Sequence, residues 1–238
     1  MKRISYAFIL LVLLQGLFQS CNSNPEKELP KEEVAVEKAD TSLFQKESAY
    51  AELLNKFQPI NFDTLKVSYD YDEKDKTFLG TELTLKEAKT FPLGITQNFF
   101  GKLSGVYACY QFRLDSTRLG LVARIPGEYD ANSVGLFIFD LKKDQLLKEY
   151  LQLSVNFGDA GDVYDRTSWL IKAKNSQYQS FVYDYSSYDH AVEDTSDHTV
   201  EEWRSYYLFD CMTSKFDTIS KNETRLKKQF KRVLKGVE

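Results

Sequence analysis

The sequence predicts a mainly β domain, either an antiparallel meander or a two-layer β-sandwich, with short flanking helices. Aromatic residues make up 14% of the chain, with 15 Tyr and 17 Phe, and aromatic side chains favour strands over helices. Apolar and polar residues alternate with a period of two in several segments, and polar turn sequences separate those segments. Together these observations favour antiparallel strands that follow one another along the chain.

Two short helices are expected before the main run of strands. The first covers residues 42–57 and ends before Pro59. The second covers residues 85–91, because Thr84 and Glu87 have the spacing of a capping box that starts a helix. Each helix is short enough to pack beside a sheet without forming a separate layer.

The strand candidates begin after the first helix. The alternating or apolar segments outside the hairpins described next are 66–71, 106–114 and 118–125. Residues 133–141 contain the run Val-Gly-Leu-Phe-Ile-Phe, which predicts a central strand with both faces buried.

Three hairpins are expected, each with two strand candidates joined by a polar turn. The paired segments are 133–141 with 145–156, 169–174 with 178–185, and 203–211 with 215–219. The first and third hairpins share a pattern of an aromatic residue, an aspartate, a polar turn and an apolar return. Blades of a small β-propeller could give the same repeated pattern, so a propeller-like domain is the alternative fold. Repeat architectures, however, need about three copies, and two are found here.

The chain ends in a basic amphipathic segment that predicts a third helix at 222–236. Its apolar stripe consists of Leu226, Phe230, Val233, Leu234 and Val237. A basic amphipathic helix can lie on a membrane surface. Because short apolar stripes more often face the protein core, we expect this stripe to pack on the sheet.

The N-terminus has the architecture of an export signal. Lys2 and Arg3 precede an almost wholly apolar run at 4–18, and Ser20 and Cys21 follow it. The run is shorter than the about 20 apolar residues that a transmembrane helix needs. An uncleaved membrane anchor is the alternative interpretation of this segment.

The cysteine after the expected cleavage site resembles the signal of bacterial lipoproteins. Phe18 and Gln19 precede Ser20 and Cys21, and this loose lipobox is similar to those of Bacteroidota-type lipoproteins. In that family the cysteine is diacylated and becomes the mature N-terminus, so the resemblance implies that Cys21 carries lipid. It also implies a lipid-anchored protein of the cell envelope, with the outer membrane as the expected location. The body resembles uncharacterised secreted lipoproteins of that group in pattern.

The chain is therefore expected to have three parts. They are a signal peptide at 1–20, the lipidated cysteine with a disordered tether at 21–41, and a single mainly β domain at 42–238. The tether segment has prolines and many charged residues but no aromatic residue. Such a segment cannot bury enough apolar surface to offset its chain entropy.

Composition limits the partners and the redox chemistry. The net charge of −4 and the pI near 5.4 provide no basic field for nucleic acid. If Cys21 is lipidated, Cys109 and Cys211 remain, and they could form a disulfide in an oxidising compartment. Because the sequence does not give the distance between them, two separate buried thiols are the other interpretation.

Residues 157–165 form the first acidic candidate site. Asp159, Asp162 and Asp165 lie among two glycines, and oxygen-rich turns of this kind can bind calcium. The segment lacks the ligand order of an EF-hand. A solvated turn without metal is the favoured interpretation.

Residues 183–198 form the second acidic candidate site. His190 and His198, the two histidines of the chain, each follow an aspartate. Imidazole and carboxylate groups can bind zinc or iron. Because neither a third histidine nor a cysteine pair accompanies them, we expect a polar loop that joins two strands.

No short catalytic motif is present, and no catalytic residue is assigned. The expected function is a binding or structural module with a protein or glycan partner. The alternative is a surface-exposed hydrolase of glycans or peptides. Close packing of the first acidic site with Asp189, His190 or His198 in one cleft would favour the hydrolase, whereas a filled surface would favour the binding module.

Overall fold

The computed structural model describes residues 48–69, 77–92, 95, 105–127, 133–235 and 237. All of them belong to the compact unit Val34–Glu238. The predicted signal peptide, Cys21, the predicted tether and residues 42–47 of the first predicted helix lie outside the described residues. Of the described part of that helix, 48–57, Ala51–Leu54 is helical. No helix formed by these residues has both the length and the apolar character needed to cross a membrane.

Eleven strands of the described residues form one mixed sheet. In chain order they are β1 Gln58–Pro59, β2 Thr64–Val67, β3 Thr81–Glu82, β4 Tyr107–Arg113, β5 Arg118–Ile125, β6 Ser133–Asp140, β7 Gln145–Asp159, β8 Asp162–Lys172, β9 Tyr178–Asp189, β10 Val200–Asp210 and β11 Thr218–Ser220. Neighbouring strands are antiparallel except β1, which is parallel to β4. The prediction of a mainly β fold is confirmed, and because the sheet is continuous the propeller alternative does not describe it.

The helices of the described residues are short. They are α1 Ala51–Leu54, α2 Leu85–Ala88, a 3-10 turn at His190–Val192, α3 Glu223–Gln229 and α4 Lys231–Leu234. The predicted capping box is confirmed. The backbone N–H of Glu87 donates to Thr84 Oγ1 (3.3 Å), and the backbone N–H of Thr84 donates to Glu87 Oε2 (2.7 Å).

The sheet folds back on itself where β7 changes partners. Residues Gln145 to Val155 of β7 pair with β6, and residues Val155 to Asp159 pair with β8. Where β7 leaves β8, β2 takes its place, with Val67 opposite Ser168. One strand therefore belongs to both halves of the sheet, as at the corner of a β-sandwich.

A central apolar cluster fills the space between the two halves. Val122, Val134 and Leu136 enter it from β5 and β6, and Leu170 and Tyr178 enter from β8 and β9. The rings of Phe112 and Tyr178 lie with their centroids 4.9 Å apart. β6 is buried along nearly its whole length, which confirms the prediction of a central strand.

Two further clusters cover the outer faces of the sheet. Beneath α1 and α2, Leu54 and Phe57 pack with residues of β5 and β6. Beneath α3 and α4, Leu226 and Leu234 are buried against Trp169 and Phe181 of the other half. The C-terminal stripe packs on the sheet as predicted, but the segment forms two helices because Phe230 has non-helical angles of φ −106° and ψ 18°.

Candidate functional site

Four strands continue beyond the core clusters and form an extension of the sheet. We call residues 156–166 and 184–205 the arm. In β10, the side chains from Val200 to Arg204 are exposed, whereas Tyr206 and Leu208 are buried. The same strands thus run from the protein core into solvent.

The arm begins with a two-residue hairpin turn between β7 and β8. Ala160 and Gly161 have φ of +47° and +88°, and positive φ at both positions is typical of a type I′ turn. A Cβ on Gly161 would lie 2.9 Å from the carbonyl oxygen of Asp189. The expected turn is therefore confined to these two residues, because paired strands run through most of 157–165.

This geometry separates the predicted calcium ligands. Asp159 lies opposite Asp162 across the turn. Asp165 follows Asp162 by three positions and so points to the other face of the sheet. Among the described residues, no group of three or more His, Cys, Asp or Glu side chains is placed to hold a metal ion.

Less than half of the second acidic segment is strand, namely 183–189, and the rest belongs to the polar connection between two strands that the sequence predicts. β9 extends to Asp189 and β10 begins at Val200, so only 190–199 connects them. Tyr188 pairs with Asp162 on one side and with Glu201 on the other. The structure therefore places the two predicted acidic sites side by side in one sheet.

A small polar cluster lies near the end of the arm. The Tyr188 hydroxyl donates to Glu193 Oε1 (2.8 Å), and this hydrogen bond raises the pKa of Tyr188. His190 Nε2 lies 3.3 Å from Glu201 Oε1, and its ring packs edge-on against Tyr188 at 5.0 Å. His198 is exposed.

Aromatic residues occupy the next rung of the same face. The strand register places Phe157, Tyr164, Ser186 and Trp203 in one row across the arm. Trp203 is 50% exposed, whereas Trp169 in the body is 3% exposed. The cross-strand neighbour of Trp203 on β9 is the small residue Ser186.

A partly buried ion pair fixes the base of the arm. The guanidinium of Arg166 donates to the Asp184 carboxylate through Nε and Nη2, at 2.7 Å each. Burial opposes the charge of Arg166, but the hydrogen bonds to Asp184 outweigh it and raise the pKa of Arg166. Tyr164 hydrogen-bonds to this pair, and burial raises the pKa of its hydroxyl to about 12. The pair links β8 to β9 where the apolar core ends.

The arm has a strong local charge. It contains ten Asp and Glu residues but two Arg and no Lys, in a chain with 35 acidic and 31 basic residues. It also holds four of the seven large apolar side chains that are exposed among the described residues. These four are Val163, Val192, Val200 and Trp203. Exposed apolar side chains rimmed by polar groups are typical of an interaction surface.

The two cysteines of the body form a different environment. Cys109 and Cys211 are both free and buried in the central cluster. Cys109 Sγ donates to the carbonyl of Phe78 at 3.4 Å. Burial raises the pKa of Cys109 to about 12 and raises that of Cys211 as well. Of the two interpretations, the structure has separate buried thiols, and these remain protonated at neutral pH.

Two concavities lie away from the arm. One of about 400 Å³ is at the opposite end of β8 and includes Arg113, Asp115 and Lys172. The Asp115 carboxylate accepts from Arg118 Nε at 2.8 Å, so the acid in this wall is already neutralised. The other, of about 410 Å³, lies between α2 and Val106. Neither contains a residue that the sequence marked as a candidate site.

Sequence reasoning did not mark Trp203 as a binding residue. The sequence did contain a signal for an exposed position. The residues two before and two after Trp203, which lie on the same face of the strand, are the polar residues Glu201 and Ser205. A tryptophan between two polar residues with the same orientation does not fit a core-facing strand.

Comparison of the chain with protein-family models, with curated proteins and with solved structures finds no significant match. The assignment of function therefore depends on the N-terminal sequence and on the geometry of the arm.

Proposed function

We propose that the protein is a lipid-anchored binding protein of the cell envelope, attached through Cys21, which contacts its partner through the arm. The observation that carries the binding part is the half-exposed Trp203 ring on a paired sheet, beside exposed carboxylates. Tryptophan exposed on a rigid element is a frequent hot spot of recognition because it supplies a large contact area.

The anchoring part is supported by the N-terminal sequence. A basic start, an apolar run and Cys21 after a small residue are the parts of a lipoprotein signal. The predicted tether at 22–41 would then hold the domain away from the lipid surface. Replacing Cys21 by Ala should move the protein out of the membrane fraction, and equal membrane pelleting of both forms would contradict the anchor.

The structure gives the hydrolase alternative one favourable feature, since the row of Asp162, Tyr188 and Glu201 contains two carboxyl groups. A glycosidase acid, however, needs a carboxyl group in a pocket that raises its pKa. Asp162 and Glu201 are instead exposed on the sheet, and the two concavities described above lie away from the arm. We therefore favour the binding function.

Site-specific photo-crosslinking in the native cells tests this proposal. A photoreactive phenylalanine analogue at position 203 should give a discrete adduct with a partner. The same analogue at Leu85 or Ile219, which are exposed outside the arm, serves as a matched control. Adducts of equal yield at all three positions, or none at 203, would contradict the arm as the binding surface.

A further inference from the structure

We propose that the partner binds as an added β-strand, in which an extended cationic polypeptide segment pairs with the open edge of β10 at residues 200–205. This inference rests on the proposed binding role of the arm and specifies the chemistry of the partner and its geometry of binding. It depends on three observations, which concern the strand edge, its backbone groups and its charge.

The outer edge of β10 is open over most of the arm. β9 pairs with β10 along its whole length, from Val200 to Asp210. On the other side, β11 pairs only with Leu208 and Phe209. No strand of the described residues lies beside 200–205 on that side. Six residues at about 3.3 Å each make an edge of about 20 Å, the length of an ordinary strand.

Hydrogen bonds at both ends of the ladder show which backbone groups face outward. The N–H of His190 donates to the Thr199 carbonyl (3.1 Å), and the N–H of Cys211 donates to the Tyr178 carbonyl (3.0 Å). Hydrogen-bonded pairs alternate in an antiparallel ladder. Thr199 and Cys211 have odd numbers, so the odd-numbered residues of β10 direct their backbone groups toward β9. They include Glu201, Trp203 and Ser205.

The residues of the other parity face the open side. They include Val200, Glu202 and Arg204, each with one N–H and one carbonyl directed away from β9. The N–H of Asp210, which has the same parity, donates to the Asp217 carbonyl at 2.8 Å, in agreement with this assignment. An exposed row of such groups is the template that extended peptides use when they join a sheet.

The charge around this edge selects a cationic segment. Side chains of an added strand would alternate between the two faces of the arm. On one face they would meet Glu201 and Trp203, which offer an ion pair and the face of an indole ring. On the other face they would meet Glu202 and Arg204, which already form an ion pair at 2.8 Å, so the preference for cations comes from Glu201 and from the net negative charge of the arm. A second copy of this chain would bring an equally acidic arm, so repulsion opposes pairing of two copies.

Fluorescence anisotropy with synthetic peptides tests the mode of binding. The probe is a labelled ten-residue peptide that alternates Lys and Val, added to the protein purified from its own cells in mild detergent. We expect saturable binding that weakens with added salt, because part of it is ionic. A peptide that alternates Glu and Val should not bind. The Lys-Val peptide with a methylated backbone nitrogen at every second residue should bind at least about tenfold more weakly, since it has lost the donors of one edge.

Substitutions at Arg204 separate backbone pairing from side-chain contact. Arg204→Pro removes the outward N–H but no hydrogen bond to β9, and proline is tolerated on edge strands. Arg204→Ala removes the same side chain and keeps the N–H. We expect about tenfold weaker binding for the proline variant and little change for alanine. Far-ultraviolet circular dichroism shows whether each variant keeps its sheet.

Strand addition would be overturned if the plain and methylated peptides bound equally well and if the Arg204→Pro and Arg204→Ala variants had the same affinity. In that case the arm would bind through its side chains alone. Self-association of the protein that Arg204→Pro abolishes, without peptide binding, would overturn the cationic partner in favour of a second copy. Loss of the crosslink at position 203 would instead overturn the proposed function itself.

Discussion

The body and the arm are built from the same strands, yet they use them in opposite ways. In the body, β9 buries Phe181 and Tyr183 beneath the C-terminal helices. In the arm, its continuation carries Tyr185 and Tyr188, which are half-buried, and Tyr185 packs at the margin of the same cluster. Backbone pairing continues through both regions without a break. Backbone pairing therefore sets the shape of this sheet, while side-chain burial decides which part provides stability.

The interactions that hold each region differ accordingly. The body has three apolar clusters, and hydrophobic burial is the dominant favourable term in folding. The arm has the ladder, the Arg166–Asp184 pair and polar surface contacts. Substitutions should therefore affect stability in the body and recognition in the arm.

The largest effect on stability is expected from Phe181→Ala. Phe181 is fully buried and stacks on Phe230, with ring centroids 4.1 Å apart. Loss of a buried phenylalanine typically lowers the free energy of unfolding by about 3–5 kcal/mol. The control Trp203→Ala in the arm should change it by less than about 0.5 kcal/mol. Denaturant unfolding measures both, and similar losses in the two variants would contradict the division between body and arm.

A smaller effect is expected where the two regions meet. Asp184→Asn would leave the guanidinium of Arg166 without its carboxylate, and breaking a buried pair costs about 3–5 kcal/mol. The side chains of Arg166 and Asp184 are still 20% and 12% exposed. We therefore expect Asp184→Asn to lower the free energy of unfolding by about 2 kcal/mol, less than for a fully buried pair. Asp162→Asn at the exposed turn is the matched control and should be nearly neutral in unfolding experiments. A neutral Asp184→Asn would mean that the pair does not fix the arm.

The smallest effect on stability concerns acid. Burial opposes ionisation of Asp115, but hydrogen bonds from Arg118 and Thr117 outweigh it and lower its pKa. The Glu87 pKa is lowered in the same way, by hydrogen bonds from Lys56 and Thr84 against burial. A carboxyl group whose pKa is lower in the folded than in the unfolded state stabilises the fold at pH values above its unfolded pKa, which is about 4. This contribution disappears as the pH falls through the lowered pKa.

Asp115→Asn and Glu87→Gln should therefore each lower the free energy of unfolding at pH 7 by less than about 1 kcal/mol, and the melting temperature should fall slightly. The difference from the unmodified protein should vanish as the pH is lowered through and below about 4. Thermal melts between pH 7 and pH 2 measure it. A difference that stays constant over this range would show that the charges contribute nothing.

The sequence predicted the body well because burial leaves a readable pattern. The strand at Ser133–Asp140, the three hairpin turns and the capping box at Thr84 were all expected and are present. The C-terminal stripe was also correctly expected to pack on the sheet. In each case the side chains that carry the pattern are the ones that the core requires.

The strands of the arm were predicted less completely, because its residues leave a weaker pattern in the sequence. Most residues of the arm are at least partly exposed on both faces of the sheet, with Asp184 and Ser187 as buried exceptions, so they show little alternation of apolar and polar types. Asp and Gly at 157–165 have the composition of a loop, although they form a hairpin closed by Ala160 and Gly161. On its other side β8 pairs with β9, which lies farther along the chain, and local patterns do not encode that pairing. The proximity of Asp162 to Tyr188 follows only from that pairing.

The two tryptophans of the chain provide the most direct test of the central claim, because one lies in each region. Trp203 of the arm is 50% exposed and Trp169 of the body is 3% exposed. We would measure acrylamide quenching of fluorescence in two single-tryptophan variants, Trp169→Phe and Trp203→Phe. We expect strong quenching and red-shifted emission when Trp203 remains, and weak quenching with blue-shifted emission when Trp169 remains. Unfolding in denaturant should remove the difference. Equal protection of both tryptophans in the folded protein would contradict the exposed arm and the binding role built on it.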